Sequence, residues 1–201
     1  MIAIVDYGMG NLKSVQNVLD FLKIPSTITN REDEILNAKG VILPGVGAFP
    51  DAMKYIKNKK LDEVIKKVVK ANKPILGICL GMQLLFDESD EVEKTKGLGF
   101  IKGTIKKLEV DLKIPHMGWN NLKINKNSPL LKGVKEDSYV YFVHSYCAVL
   151  KNKDVLNSYC EYSVKVPAIV SSDNIYGIQF HPEKSGDVGM KILKNFGELI
   201  K

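Results

Sequence analysis

The sequence predicts an α/β fold: a mostly parallel central sheet with helices on both faces, joined in the second half by antiparallel strands. Three observations predict it. Up to Glu88, short apolar runs alternate with apolar residues at helical spacing, as in successive β-α-β units. Beyond Glu88 the stretches become short, rich in β-branched and aromatic residues, and parted by turn signals. No linker, repeat or low-complexity segment divides the 201 residues, which read as one domain, 1–201, with core enough to need no disulfide or metal.

Taken in order, Ile2–Val5 is an apolar run of strand length, followed by the loop Asp6-Tyr7-Gly8-Met9-Gly10. Asn11 is placed to cap a helix whose Leu12, Val15, Val18, Leu19 and Leu22 share one side. Ser26–Thr29 and Gly40–Leu43 read as short strands, the second ending in the turn Pro44-Gly45-Val46-Gly47. A helix through Ala52, Met53 and Ile56 follows, then another over Leu61–Val69. Pro74–Ile78 is a buried strand, and Leu80 to Phe86 has helical spacing, with Cys79 at the corner between them. Strands are expected at 99–108, 121–124, 139–143, 155–159, 168–171 and 175–180, before a final helix over 188–200.

Composition narrows the function. A hydrophobic share of 45% and a charged share of 26% are ordinary for a soluble protein. No apolar run approaches the roughly 18 residues of a membrane span, and Met1-Ile2-Ala3-Ile4-Val5-Asp6 reaches an acid too soon for a secretory signal. A cytoplasmic location is the expectation. The three cysteines form no CxxC pair and share no zinc-like spacing with the three histidines, so neither a metal nor another cofactor is expected. The net charge of +6 comes from scattered lysines that alternate with acids; Arg31 is the single arginine. Nucleic-acid recognition leans on arginine forks and aromatic platforms. The lysines here read as a solvated surface.

The chemistry centres on Gly77-Ile78-Cys79-Leu80-Gly81, which has the glycine-x-nucleophile-x-glycine form of a nucleophile elbow. Such a nucleophile stands in an unfavourable backbone conformation on a strand-to-helix corner. Residues two positions either side must be small so that strand and helix can approach. The plain alternative is a buried core cysteine. A free thiol, with its pKa near ~8.5, is mostly protonated at neutral pH and needs a base. His181-Pro182-Glu183 can supply it. Pro182 biases His181 toward an extended conformation, and in an extended segment residues two apart face the same side, about 6.5 Å apart at Cα. Glu183 could then orient the His181 ring, as the acid of a triad does. An oxyanion hole is expected from the Leu80 N–H and the Gly45–Gly47 turn, Gly45, Val46 and Gly47 being able to bring an amide close to a ligand. Cys147 and Cys160 lack flanking glycines and read as packing residues, and His144 as a hydrogen-bonded structural histidine.

Gly-Ile-Cys-Leu-Gly-Met-Gln at 77–83 with His-Pro-Glu at 181–183 resembles the class I glutamine amidotransferases, a triad family with a flavodoxin-like sheet. Five stretches resemble the glutaminase subunits of imidazole glycerol phosphate synthases within it: residues 6–11 (DYGMGN), 43–49 (LPGVGAF), 115–120 (PHMGWN), 141–146 (YFVHSY) and 181–185 (HPEKS), the last extending the His-Pro-Glu. The resemblance implies that the Cys79 thiolate attacks the side-chain amide of glutamine. His181 protonates the departing ammonia and then activates water, and Glu183 orients His181. It further implies that Gln83, the Gly45–Gly47 segment and the backbone of Ser145 and Tyr146 hold the substrate. Ammonia would pass into a partner (βα)8-barrel cyclase, in a heterodimer, with Asn11, Trp119 and Lys184 at the interface. Two other readings remain at this point: a stand-alone cysteine hydrolase or another class I glutaminase subunit, and a catalytically dead binding module, which an altered triad position would favour.

Overall fold

The structure, a computed structural model, describes residues 1–200. Its strands in the first half are β1 (Ile2–Val5), β2 (Ser26–Thr29), β3 (Gly40–Gly45), β4 (Ile75–Cys79) and β5 (Phe86–Ser89). The helices among them are α1 (Leu12–Phe21), α2 (Glu32–Asn37), α3 (Phe49–Asn58), α4 (Leu61–Lys70) and α5 (Leu80–Leu84). The second half adds β6 (Thr95–Lys96), β7 (Ile101–Lys107), β8 (His116–Asn121), β9 (Lys123–Ile124), β10 (Tyr139–His144) and β11 (Tyr146–Leu150). It ends with β12 (Leu156–Tyr162), β13 (Val164–Ser172), β14 (Ile175–Ile178) and α6 (Gly186–Glu198).

Eight strands form the central sheet in the order β2-β1-β3-β4-β14-β13-β12-β9. The first five run parallel, and β13, β12 and β9 extend the sheet antiparallel. Two smaller sheets stand apart from it, the antiparallel β8–β10 pair and a four-stranded sheet in the order β11-β7-β5-β6.

The parallel strands are apolar on both sides because both sides are covered. Ala3 and Val5 of β1 and Val41 and Leu43 of β3 face one core, built with Ile35 of α2, Met53 and Ile56 of α3 and Ile65 and Val68 of α4. Ile2, Ile4 and Ile42 face the opposite core, closed by Val15 and Leu19 of α1 and Leu193 and Phe196 of α6. Period-two alternation along each strand thus divides the chain's apolar residues between two layers. The predicted α/β class and its antiparallel second half are both present. No helix among the described residues is long and apolar enough to cross a membrane.

Four local expectations differ. The helix expected to run to Phe86 ends at Leu84, where the Leu85 N–H closes a tight turn on the Met82 carbonyl and Phe86 enters β5 beside β7. Asn11 stands at the N-cap of α1, yet its side chain makes no capping hydrogen bond. Trp119, outside every predicted strand, lies on strand β8, because β10 pairs with that whole segment from Asn121–Tyr139 to His116–His144. Helix α2 and strand β11 had no counterpart in the sequence pattern.

Candidate active site

Parallel strands gather their carboxyl ends on one edge of the sheet, and four of those ends border the site, those of β3, β4 and β14 carrying the expected chemistry. Tyr7 follows β1, Gly45 ends β3 opposite Cys79 at the end of β4, and Gln179 to His181 follow β14. Cys79 has φ 53° and ψ −110°, a conformation costing a non-glycine residue on the order of 1–3 kcal/mol. Both elbow glycines are sterically required. A Cβ on Gly77 would lie 2.5 Å from the Gly81 carbonyl oxygen, and one on Gly81 would lie 1.7 Å from that of Leu43. Helix α5 has only five residues, so it offers first-turn amides rather than a long dipole.

His181 is buried, with its backbone N–H donating to the Tyr141 carbonyl at 2.9 Å. It is extended at φ −97° and ψ 98°, as Pro182 dictates, but Pro182–Lys184 form a 3-10 turn instead of continuing the strand. That turn still brings Glu183 Oε1 to 2.8 Å from His181 Nδ1. Ser185 fixes the turn: its hydroxyl donates to the His181 carbonyl at 2.6 Å and accepts the Tyr141 N–H at 2.9 Å. Gly189 lets α6 close behind it, since a Cβ there would lie 1.9 Å from the Pro182 carbonyl oxygen.

Electrostatics tie the three groups together. Burial alone would lower His181, but Cys79 and Glu183 outweigh it and hold the imidazolium up to about 9. His181 Nε2 has no regular hydrogen bond, although Cys79 acts on it strongly through space and by polar contact. Catalytic hydrogen bonds are often long or poorly aligned before substrate binds. Burial pushes the Cys147 and Cys160 thiols up to about 11 and about 12, and neither residue lines the cavity at Cys79.

That cavity encloses about 280 Å³, bounded by Val46, Gly47, Cys79, Leu80, Gln83, Glu91, Val143, His144, Ser145, Tyr146 and His181. Three of the four expected oxyanion residues, Val46, Gly47 and Leu80, face it. Gly45 lies behind them, packed so closely that a Cβ would meet Tyr7 Oη at 2.4 Å. Gln83, Ser145 and Tyr146 are all in the lining, but several of their polar groups are committed elsewhere. Gln83 Nε2 donates to the Tyr146 carbonyl at 2.9 Å and to Gln179 Oε1 at 3.1 Å, so Oε1 alone remains for a ligand. The Ser145 carbonyl accepts the Leu108 N–H at 2.9 Å, and the Tyr146 carbonyl also accepts from His144 Nδ1 at 2.9 Å.

His144 is the structural histidine expected. With its Nδ1 proton on Tyr146, its Nε2 accepts from His116 Nδ1 at 3.0 Å, and His116 Nε2 accepts from Asn120 Nδ2 at 3.3 Å. Burial lowers His144 to about 3 and His116 to about 4, so both are neutral.

Sequence reasoning missed Glu91 and Gln179. Glu91 Oε2 accepts the Phe49 N–H at the start of α3 at 2.8 Å, and burial raises its pKa. It places a carboxylate in the cavity wall. In sequence it is one acid among several in Asp87–Glu93, with nothing to set it apart.

The expected interface residues Trp119 and Lys184 meet on an exposed ridge along the β8–β10 pair. Trp119 is 56% exposed and its ring meets that of Tyr141 edge-on at 5.9 Å, while Lys184 Nζ lies 5.9 Å from the centre of the same Tyr141 ring. Met117 and Tyr139, 61% and 59% exposed, extend the same face. Asn11 is half-buried at the start of α1, after Gly10, which abuts Gly45.

Residues 3–199 match the glutamine amidotransferase class-I family. Over all 201 residues the chain is 52% identical to imidazole glycerol phosphate synthase subunit HisH of Caldanaerobacter subterraneus subsp. tengcongensis, covering 99% of that protein. The chain belongs to the class I glutamine amidotransferases, within the HisH family. The HisH subunit of Bacillus thuringiensis strain Al Hakam is 51% identical over the full chain and 96% of its own length. Among solved structures, PurLQS from Thermotoga maritima superposes with a TM-score of 0.80 at 20% identity, over 100% of this chain and 98% of that one. The glutaminase domain of Trypanosoma brucei CTPS, solved with bound acivicin, gives 0.66 at 14% identity, over 98% and 93%. At such identities these two speak for the amidotransferase fold alone. The HisH relatives speak for the family.

Proposed function

We propose that Cys79, His181 and Glu183 hydrolyse glutamine to glutamate and ammonia, and that the chain works as one amidotransferase unit over residues 1–201. As a HisH-family member it is the glutamine-hydrolysing subunit of an imidazole glycerol phosphate synthase and serves histidine biosynthesis. The observation that carries the mechanism is a histidine hydrogen-bonded to Glu183 and held protonated by Cys79 and Glu183 together, beside a small-molecule cavity.

The Cys79 sulfur adds to the γ-carboxamide carbon of glutamine, and the resulting oxyanion is received by the Leu80 N–H and the Val46–Gly47 segment. His181 gives its proton to the departing nitrogen, and ammonia leaves a glutamyl thioester. Water then attacks that thioester, losing a proton to His181, and the C–S bond breaks to release glutamate. Glu183 keeps the ring oriented and stabilises its charge throughout. Glu91 and Gln83 Oε1, both acceptors on the cavity wall, suit the α-ammonium group of the substrate. A half-buried carboxylate there disfavours an uncharged amide lacking that group.

Ammonia then passes to a cyclase partner, a (βα)8 barrel in a heterodimer, which makes imidazole glycerol phosphate and an aminoimidazole carboxamide ribotide. The Met117–Trp119–Tyr139–Tyr141 ridge offers that partner aromatic anchors, the residue type that dominates interface energies, and Lys184 and Asn11 join them. A cytoplasmic site of action fits this biosynthetic role. The test is co-purification with a candidate cyclase, followed by glutaminase assay with and without the cyclase's nucleotide ligand. Weak hydrolysis by the chain alone and a large rise in the liganded complex are expected. An isolated chain as fast as the complex would contradict the proposed coupling.

A further inference from the structure

Gln179 is wholly buried just beyond β14, and the triad mechanism does not use it. Its side chain nevertheless touches the reacting atom. Gln179 Nε2 donates toward Cys79 Sγ at 3.8 Å, and its Oε1 accepts from Gln83 Nε2 at 3.1 Å. Both amides have their orientation dictated by their neighbours. The Tyr146 carbonyl can only accept, so the Gln83 atom 2.9 Å from it must be nitrogen. Gln179 must then turn its oxygen to Gln83, which leaves its NH₂ for the sulfur.

The sulfur therefore sits between opposed neighbours. The Val143 carbonyl, 3.8 Å away, can only accept and so favours the protonated thiol. Gln179 Nε2 can only donate and so favours the anion. We propose that Gln179 is a further catalytic residue, an N–H donor that stabilises the Cys79 sulfur anion, with Gln83 locking its amide in the donating orientation. This rests on the reading of Cys79 as the nucleophile.

The donor has two uses in the cycle. Before attack its N–H opposes the Val143 carbonyl, donating to the sulfur where that carbonyl can only accept from it. In deacylation, water adds to the thioester carbon while its proton goes to His181. The C–S bond then breaks and its electron pair returns to sulfur. The anion re-forms beside a fixed N–H that needs no rearrangement to receive it, which is the condition under which preorganised donors act most strongly. The other titratable groups around the sulfur and its base are His181 backed by Glu183, Tyr7 beyond β1, His144 on β10, and Glu91 across the cavity. A change at Gln179 leaves all of them in place.

The test is the pH dependence of Cys79 alkylation by iodoacetamide, in the full chain and in Gln179→Met, which keeps the length and lacks the donor. Gln179→Glu, of the same shape but without the N–H, is the second variant. Cys147 and Cys160 are buried with raised thiols, and peptide mass spectrometry assigns the label to Cys79. The midpoint should rise by about one pH unit in Gln179→Met, a tenfold loss of reactive thiolate on the acid side of the profile, and further in Gln179→Glu. A purely structural Gln179 would lower stability and leave the midpoint in place; an unchanged midpoint in a folded Gln179→Met chain overturns the proposal. Should both variants fail to fold, the side-chain amide resonances of Gln179 in the unaltered chain decide. They should titrate with the thiol and become flat in Cys79→Ala, and amide signals indifferent to the thiol overturn it equally. If Cys79→Ala still hydrolyses glutamine, the nucleophile assignment fails; if it does not and the alkylation midpoint stays fixed, the Gln179 assignment alone fails.

Discussion

Gly81→Ala puts the elbow under a load that can be worked from the structure. The added Cβ would lie 1.7 Å from the Leu43 carbonyl oxygen and 2.7 Å from its carbon, where real contacts stay beyond about 3.0 Å. At least 3.0 − 1.7 = 1.3 Å of separation must therefore be created. Both sides of the contact are backbone, so no side chain can swing away, and β3 must part from α5. Overpacking of a close-packed core costs about 1–3 kcal/mol, and backbone against backbone belongs at the upper end. The displaced strand is also the one that ends at Gly45 and leads into Val46 and Gly47, so the same shift moves the proposed oxyanion donors relative to Cys79. A misplacement of about 1 Å costs on the order of a hundredfold in rate. Urea unfolding should show a loss of about 3 kcal/mol, and glutaminase assays of the folded fraction a kcat about a hundredfold lower. Synthesis from added ammonium salts, in complex with the cyclase, should persist in that fraction. A Gly81→Ala chain with the parent urea midpoint and parent kcat would refute the close-approach reasoning.

Glu183→Gln removes the charge that helps hold His181 at about 9, so the imidazolium should deprotonate at lower pH. Glutaminase kcat should drop about a hundred- to thousandfold, within the range general acid–base groups contribute, and the alkaline limb of its pH profile should move to lower pH. A kcat within about tenfold of the parent would show that Glu183 does not act on His181. Acid should destabilise the fold through His116 and His144. Both have folded values far below the ordinary 6.5, at about 4 and about 3. Between pH 6.5 and 4 the unfolded chain binds protons that the folded chain refuses, so stability falls as pH falls. At pH 5 the loss is about 2 kcal/mol per histidine, from about 1.5 pH units at about 1.36 kcal/mol each. The urea midpoint should decline from about pH 7 to about pH 5, less steeply in His144→Asn, and equal slopes would place the acid sensitivity elsewhere.

The parallel half of the fold was legible because each element there signals locally. The two-sided burial of β1, β3 and β4 demands continuous apolar runs, and α1, α3 and α4 carry one-sided apolar spacing. The elbow was legible for a related reason: glycines at 77 and 81 record close backbone approaches that no other residue allows. What stayed hidden depends on distant partners. His116–Asn121 contains glycine and asparagines that disfavour strands, and becomes one only because β10 pairs with it along its length. Leu80–Phe86 is apolar almost throughout, so periodicity could not show that Phe86 belongs to β5. Gln179 sits 100 residues from Cys79 and 96 from Gln83, and an amide beside a strand carries no mark of the sulfur it faces. Ser185 belongs to the 181–185 stretch, yet its clasp between His181 and Tyr141 exists only once β10 and the turn after β14 lie side by side.

Glutamine-dependent and ammonia-dependent synthesis by Cys79→Ala, compared side by side in the complex with the cyclase, bear most directly on whether one sulfur performs the amide cleavage. The glutamine-dependent rate should vanish, with synthesis from ammonium salts largely intact, because the substitution deletes a nucleophile and leaves the partner's chemistry alone. Equal loss of both rates, or hydrolysis of glutamine that survives without the sulfur, would contradict that assignment.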